Sequence, residues 1–313
     1  MRSRFIHFVH TLLAARQSQT SCVFALACCV ETSFKFQVSG FKFQVSSFKF
    51  QVSGIHHLII TLSHYHIITL SHYHITALPH YHIMKNLVVL SGAGISAESG
   101  ISTFRDSDGL WENYNVEDVA SIDGWYRNPD LMIDFYNDRR AQLEKAQPND
   151  AHKLVAKLEK YYHVTVVTQN IDNLHERGGS TNIIHLHGEA TKVCSENGKR
   201  YVQDIGYRPI RHGERTPDGA RMRPFIVWFG EAVPMLDEAA KAVEKADILV
   251  IIGTSLNVYP AAGLLYYAPT DTPIYVIDPK DVQPITRRVH FIKDVATKGM
   301  KKLFEALELD ANV

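Results

Sequence analysis

Two histidines stand two residues apart in Ile184-His185-Leu186-His187-Gly188-Glu189, at the end of a strand-like run over 182–186. An imidazole with its ordinary pKa of about 6.5 can accept a proton at neutral pH, so either suits a general base. Strand alternation puts both on one face, and spacing alone does not choose between them. Upstream, Thr168-Gln169-Asn170-Ile171-Asp172 follows the run 163–168 and sets an amide and a carboxylate two residues apart. By residue type alone that pair serves equally as helix cap or ligand contact. A third cluster, GAGISAESGISTFR over 92–105, follows the short apolar run 86–91. Gly92 and Gly94 allow a tight turn and close approach to a ligand, and a helix opening behind them would aim backbone N–H groups at a pyrophosphate. The usual dehydrogenase fingerprint adds an acidic residue about 20 positions later to hold a ribose. Here that distance falls in GLWENYNVED, which does not read as a strand, and hydride transfer is disfavoured.

The elements that would position these groups alternate. Strand-like runs at 86–91, 163–168, 182–186, 225–229, 247–252 and 273–277 are interleaved with helical patterns at 150–161, 236–246 and 296–307, the first capped by Asp150. Such alternation predicts an α/β fold with a Rossmann-like, doubly wound parallel sheet, its ligand lying beyond the C-terminal strand ends. Composition agrees: 45% hydrophobic and 21% charged residues are ordinary for a soluble globular chain of 313 residues. The net charge of zero conceals an asymmetry, since residues 1–83 carry six Lys/Arg and one Asp/Glu, and the rest 27 basic against 32 acidic groups. A mildly acidic body without a basic cluster gives no support for nucleic-acid binding, and neither early apolar run reaches the length of a membrane span. Cys22, Cys28 and Cys29 precede Met84, leaving Cys194 alone in the body, as expected of a reducing cytoplasm.

The separated motifs together resemble the sirtuins, NAD-dependent protein deacylases, of bacterial type, over nearly all of 84–307. The resemblance implies a large lobe from about 84–105, 148–191 and 225–313, a helical insertion over about 106–147, and a zinc-module remnant over about 192–224. It implies NAD held by Gly92, Ala93, Gly94, Ile95, Ser96, Thr103, Phe104, Arg105, Gln169, Asn170, Ile171, Asp172, Gly253, Thr254, Ser255, Asp278 and Ala296. His187 becomes the base, Asn170 orients the nicotinamide ribose and a water, Asp172 holds the carboxamide, and His185 is structural. Asp278 stands where relatives usually carry Asn, and a carboxylate can still accept from ribose hydroxyls. Val227, Trp228, Phe229, Gly230 and Glu231 match the segment along which sirtuins align an extended acyl-lysine peptide of a protein substrate, adding it as a strand.

Two features set this chain apart. Most sirtuins carry two Cys-x-x-Cys pairs where this chain has Cys194 alone, so four thiolates for a structural zinc are not available and no metal is expected. Tyr136 and Arg139, at i and i+3 on one helix face, resemble the Tyr-x-x-Arg of the branch that removes succinyl and malonyl groups. A guanidinium fork beside a phenol can bind a terminal carboxylate bidentately. The implied reaction displaces nicotinamide with the acyl oxygen and ends in free lysine and O-acyl-ADP-ribose. Protein ADP-ribosyl transfer and a non-catalytic NAD-binding module stay open as alternatives, and oligomeric state is not readable.

Residues 1–83 read differently. FKFQVS recurs three times over 34–54 and IITLSHYH-like units three times over 59–82, too short for solenoid units. Strands and a histidine-rich metal tract (His64, His66, His72, His74, His80, His82) are open readings. Translated repetitive DNA upstream of a start at Met84 is the expectation adopted.

Overall fold

The computed structural model describes residues 84–101, 114–280, 282 and 289–311, together with six strands between residues 34 and 77. The chain divides into two compact units at Ile83/Met84. In the first, β1 (Phe34–Val38) pairs antiparallel with β2 (Phe41–Val45), and β3 (Phe48–Val52), β4 (Leu58–Leu62), β5 (His66–Ser71) and β6 (His74–Ala77) form an antiparallel meander. The side chains of its repeated histidines lie outside the described residues.

In the second unit, β7 (Asn86–Ser91), β8 (His163–Thr168), β9 (Ile183–His185), β13 (Ile248–Ile252), β14 (Ile274–Ile277) and β15 (His290–Ile292) form one parallel sheet in the order β15-β14-β13-β7-β8-β9. A parallel sheet is covered on both faces, which is why its strands read as unbroken apolar runs. Leu87 and Val89 of β7 point into a core shared with the helices Asp150–Lys157 and Ala296–Ala306. Val88 and Leu90 point the other way, toward the helix Leu236–Val243 and the 3-10 segment Ala261–Tyr267. This is the doubly wound, Rossmann-like architecture. The order reverses between β7 and β8 on one side and β13 on the other, so the cleft opens at the C-terminal ends of these strands.

A smaller lobe is built on the antiparallel sheet of β10 (Gly188–Ser195), β11 (Val202–Asp204) and β12 (Met222–Ile226), in the order β11-β10-β12. The helix Pro129–Lys145 packs on it through Met132, Ile133 and Tyr136 against Val193, Ile210, Met222 and Trp228. Asn128 starts that helix by accepting the Leu131 N–H, with Pro129 in the first turn, where a missing N–H costs nothing.

Three local expectations are corrected. The strand expected at 225–229 is β12, Met222–Ile226, and the chain beyond it turns through Trp228–Glu231. The helix at 150 is capped by Asn149, whose side-chain Oδ1 accepts the Ala151 N–H, while Asp150 sits inside the first turn, favourable to the helix dipole. Behind the glycines no α-helix opens directly: two 3-10 turns, Ala93–Ile95 and Ala97–Ser99, occupy the position.

Candidate functional site

The C-terminal ends of β7, β8 and β13 and the turn after β9 converge on one cleft of about 480 Å³. Its floor is a pair of interlocked turns. Gly92 N–H donates to the Ile252 carbonyl at 3.0 Å and Gly94 N–H to the Gly253 carbonyl at 2.8 Å. A Cβ on Gly94 would lie 2.6 Å from Gly253 Cα, and Gly253 itself has φ of 63°. The glycines thus let two turns touch, and their own N–H groups are taken up within the chain. Among the described residues, the N–H groups of Ala93, Thr254 and Ser255 have no acceptor within the chain, and all three residues line the cleft. A cradle of backbone donors of this kind suits a pyrophosphate, so the residues present fit the expected dinucleotide.

The residues after β8 form the second wall. Asp172 is 6% exposed; its Oδ2 accepts the Ser96 hydroxyl at 3.0 Å and its Oδ1 the Leu174 N–H at 3.0 Å. Burial pushes its carboxyl above the ordinary range, against those hydrogen bonds and the charges of His185 and Arg139. Asn170 donates from Nδ2 to the Gly92 carbonyl and to Ser96 Oγ, both at 3.2 Å, so Ser96 ties glycine turn to amide and carboxylate. Behind Ser96, His152 Nε2 lies 3.4 Å from its oxygen while Nδ1–H donates to Asn149 Oδ1 at 3.2 Å. Gln169 completes the wall, donating from Nε2 to Thr254 Oγ1 at 3.2 Å.

Here the two histidines part. His187 donates Nδ1–H to the Gln169 carbonyl at 3.0 Å, and His185 donates Nδ1–H to the Asn170 carbonyl at 3.2 Å. His187 lines the cleft, and burial lowers its pKa. His185 Nε2 meets Glu176 Oε1 at 2.7 Å; although burial opposes it, that carboxylate raises the imidazole's pKa above its ordinary value. A carbonyl only accepts, so the Nδ1–H of His187 fixes its tautomer and leaves Nε2 as the basic atom.

The third wall comes from the helix Pro129–Lys145 and the segment after β12. Tyr136 and Arg139 both line the cleft, beside Phe135, Leu143, Ile101 and Ala120. Trp228 Nε1–H donates to the Tyr136 hydroxyl at 2.9 Å, and burial drives that phenol's pKa upward. The main chain of the expected peptide-binding segment is partly spoken for: Val227 N–H donates to the His187 carbonyl, Phe229 N–H to the Ala120 carbonyl, and the Phe229 carbonyl accepts from Ile122 N–H.

Of the expected site residues, Ile95 does not line the cleft; its side chain is fully buried in the core behind it, and its carbonyl accepts from Asn149 Nδ2. Thr103, Phe104 and Arg105 lie outside the described residues. The others are all in the lining: Gly92, Ala93, Gly94, Ser96, Gln169, Asn170, Ile171, Asp172, His187, Gly253, Thr254, Ser255, Asp278, Ala296 and the two substrate groups. Sequence reasoning missed the apolar wall of Ile101, Phe135 and Leu143, which carries no polar signal. It also missed His152, read only as part of a helix start, and Arg223, which lies outside every motif. As for zinc donors, Cys194 is the one cysteine among the described residues; it is buried, donates to the Pro224 carbonyl at 3.8 Å, and burial pushes its thiol up to about 11. One cysteine cannot supply the four thiolates of a tetrathiolate site.

Comparison with known proteins gives one answer. Residues 92–260 match the Sir2 family. An NAD-dependent protein deacylase of Bacteroides thetaiotaomicron is 56% identical over 230 residues, covering 72% of this chain and 98% of that protein. Another NAD-dependent protein deacylase, of Helicobacter pylori, is 52% identical over 228 residues, with 72% and 98% covered. Among solved structures, a Sir2 homolog–NAD complex superposes with a TM-score of 0.66 at 36% identity, covering 72% of this chain and 90% of that one. A histidine-to-alanine Sir2 mutant with a deacetylated peptide and 3'-O-acetyl ADP ribose gives 0.60 at 28% identity, covering 73% and 96%.

Proposed function

The chain belongs to the Sir2 family and is an NAD-dependent protein deacylase; within that activity, we propose that it removes succinyl and malonyl groups, as well as acetyl, from protein lysines. The observation that carries the finer reading is that Tyr136 and Arg139 line the same cleft as Asn170 and Asp172. When bound, NAD supplies a ribose carbon from which nicotinamide leaves and a hydroxyl that takes over the acyl group.

The chain's own residues do the rest. The N–H groups of Ala93, Thr254 and Ser255 receive the pyrophosphate, and Asp278 accepts from the adenosine ribose. Ser96 locks Asn170 and Asp172, so that amide and carboxylate meet the nicotinamide end without rearranging. His187 Nε2 accepts the ribose hydroxyl proton, its ring held through Nδ1–H. Phe135, Leu143 and Ile101 exclude water around the acyl chain. Arg139, a planar fork that stays protonated although burial lowers its pKa, pairs with the acyl carboxylate.

The test uses twin peptides bearing succinyl-lysine or acetyl-lysine, with and without NAD, products being read by mass. NAD-dependent loss of acyl with O-acyl-ADP-ribose formed, faster for succinyl, is expected. Acetyl turnover without succinyl turnover would remove the finer reading, and a mass gain on the peptide would point to ADP-ribosyl transfer instead. We propose further that the small lobe folds without zinc, supported by Cys194 being the one cysteine among the described residues, where a tetrathiolate site needs four; elemental analysis of the purified protein should give far less than one zinc per chain. A reducing cytoplasm is the compartment that suits this cysteine usage, and among the described residues no helix is long and apolar enough to cross a membrane.

A further inference from the structure

Around Tyr136 the small lobe builds a bracket that neither the NAD chemistry nor the acyl guanidinium explains. Arg223 is 2% exposed and lies flat on Trp228, its Cζ 3.6 Å from the ring centroid. It grips Glu231 with both terminal nitrogens at 2.9 Å, and Glu231 Oε2 also accepts the Trp228 N–H at 2.9 Å. Trp228 also stacks on Trp125 at 5.3 Å and 28°, and the same guanidinium lies over the Trp125 ring at 5.8 Å. The indole, clamped at ring and backbone, aims Nε1–H at the Tyr136 oxygen at 2.9 Å.

An indole nitrogen donates and has no lone pair to accept with, so the phenol must accept here. Its own proton is thereby directed elsewhere, and among the described residues no acceptor takes it, although Tyr136 is 3% exposed. A buried hydroxyl proton left without a partner is costly unless a ligand completes it. We propose that Trp228 is a specificity-positioning residue: by filling the acceptor side of Tyr136 it makes the hydroxyl a donor toward the cleft, so that the acyl pocket selects termini that only accept, ionised carboxylates, over their carboxamide isosteres. The inference rests on the desuccinylase reading. It adds a discrimination that a positive charge alone does not give, because a carboxamide of the same shape would set its own N–H groups against two donors.

The experiment compares succinyl-, succinamyl- and acetyl-lysine peptides on the full chain and on two variants. One is Trp228→Phe, and the other carries benzothienylalanine at 228, which keeps the shape of the indole and replaces N–H by sulfur. The wild type is expected to favour succinyl over succinamyl by about tenfold or more in kcat/KM, the loss of a charge-assisted hydrogen bond. Both variants should narrow that ratio several-fold through the KM for succinyl, read relative to acetyl on the same variant so that any general change in peptide binding divides out. Equal shifts for all three peptides would make Trp228 merely structural and overturn the inference. A wild-type succinyl preference that survives the sulfur isostere would also overturn it. If the wild type turns over acetyl but not succinyl, it is the underlying desuccinylase reading that fails.

Discussion

A base is useful when it is unprotonated, aimed and held, and His187 meets all three conditions through one hydrogen bond and its burial. Because burial lowers its pKa, the ring stays neutral to lower pH than a free imidazole. The acid limb of kcat/KM for acetyl-lysine should therefore lie below the ordinary histidine value of about 6.5. A limb above pH 7 would contradict this assignment, and His187→Gln should cost about 10²–10⁴-fold in kcat. Arg139 affects the other half-site as well. Burial raises the Asp172 carboxyl and the Arg139 charge opposes that rise, so Arg139→Gln should raise it further. With acetyl-lysine, which offers no carboxylate to Arg139, that variant is expected to move the acid limb in NAD binding upward, readable as KM for NAD against pH. At this scale the sequence spoke through residue type but not through partner. His185 and His187 are indistinguishable by alternation, and only the folded chain shows that Glu176, nine residues before His185, takes one of them as an ion pair. Arg223 likewise carries no motif, and its value comes from meeting Trp228 and Glu231 across a turn.

Strands β7, β8 and β13 were legible because a buried parallel strand has little choice but to be apolar, as NLVVLS, HVTVVT and ILVII are. Their ends were legible because glycine and polar residues interrupt the runs. What pattern could not give was which surface a turn touches. Gly92 and Gly94 signal a close approach, and the body packed against them is the Gly253–Thr254 turn of the neighbouring strand. The same limit moved β12: Arg223 and Pro224 look unsuited to a strand, but β12 lies beside β10 and Arg223 finds its partners beyond it. Gly188 at that junction has φ of 81° and sits so close to the Phe225 carbonyl that a Cβ would lie 2.0 Å from it. Interlocked turns make a definite prediction. Gly94→Ala puts a methyl 2.6 Å from Gly253 Cα, and neither backbone can yield without opening the floor of the cleft. A loss of about 1–3 kcal/mol is expected, seen as a lower Tm, together with a KM for NAD raised well beyond any change in peptide KM. If NAD affinity held while stability fell, the turn pair would be a packing device and not the cofactor floor.

Taken as a whole, the second unit hides its titratable groups unevenly, and the pH dependence of its stability follows from where they lie. His152 and His175 sit behind the cleft with ring centroids 5.1 Å apart, and burial, the first cause for each, lowers both pKa values, that of His152 to about 4. In the unfolded chain each would bind a proton near pH 6.5. Between that value and pH 4 the unfolded state therefore holds more protons, and stability must rise with pH. His185 has the opposite sign: its pKa is raised by Glu176, so its contribution is complete below 6.5 and fades only as pH climbs through the raised value. Asp172, raised by burial, also favours the folded state on acidification, but it is one carboxyl against two imidazoles. The net expectation is a Tm that falls as pH is lowered from 7 to 4.5, the unfolding free energy dropping by up to about 1.4 kcal/mol per pH unit for each histidine fully engaged. Differential scanning calorimetry across that range checks it. His152→Gln should flatten the slope by about one proton while leaving the alkaline side unchanged. A slope that persists in His152→Gln and in His175→Gln would mean that the acid sensitivity arises elsewhere in the fold.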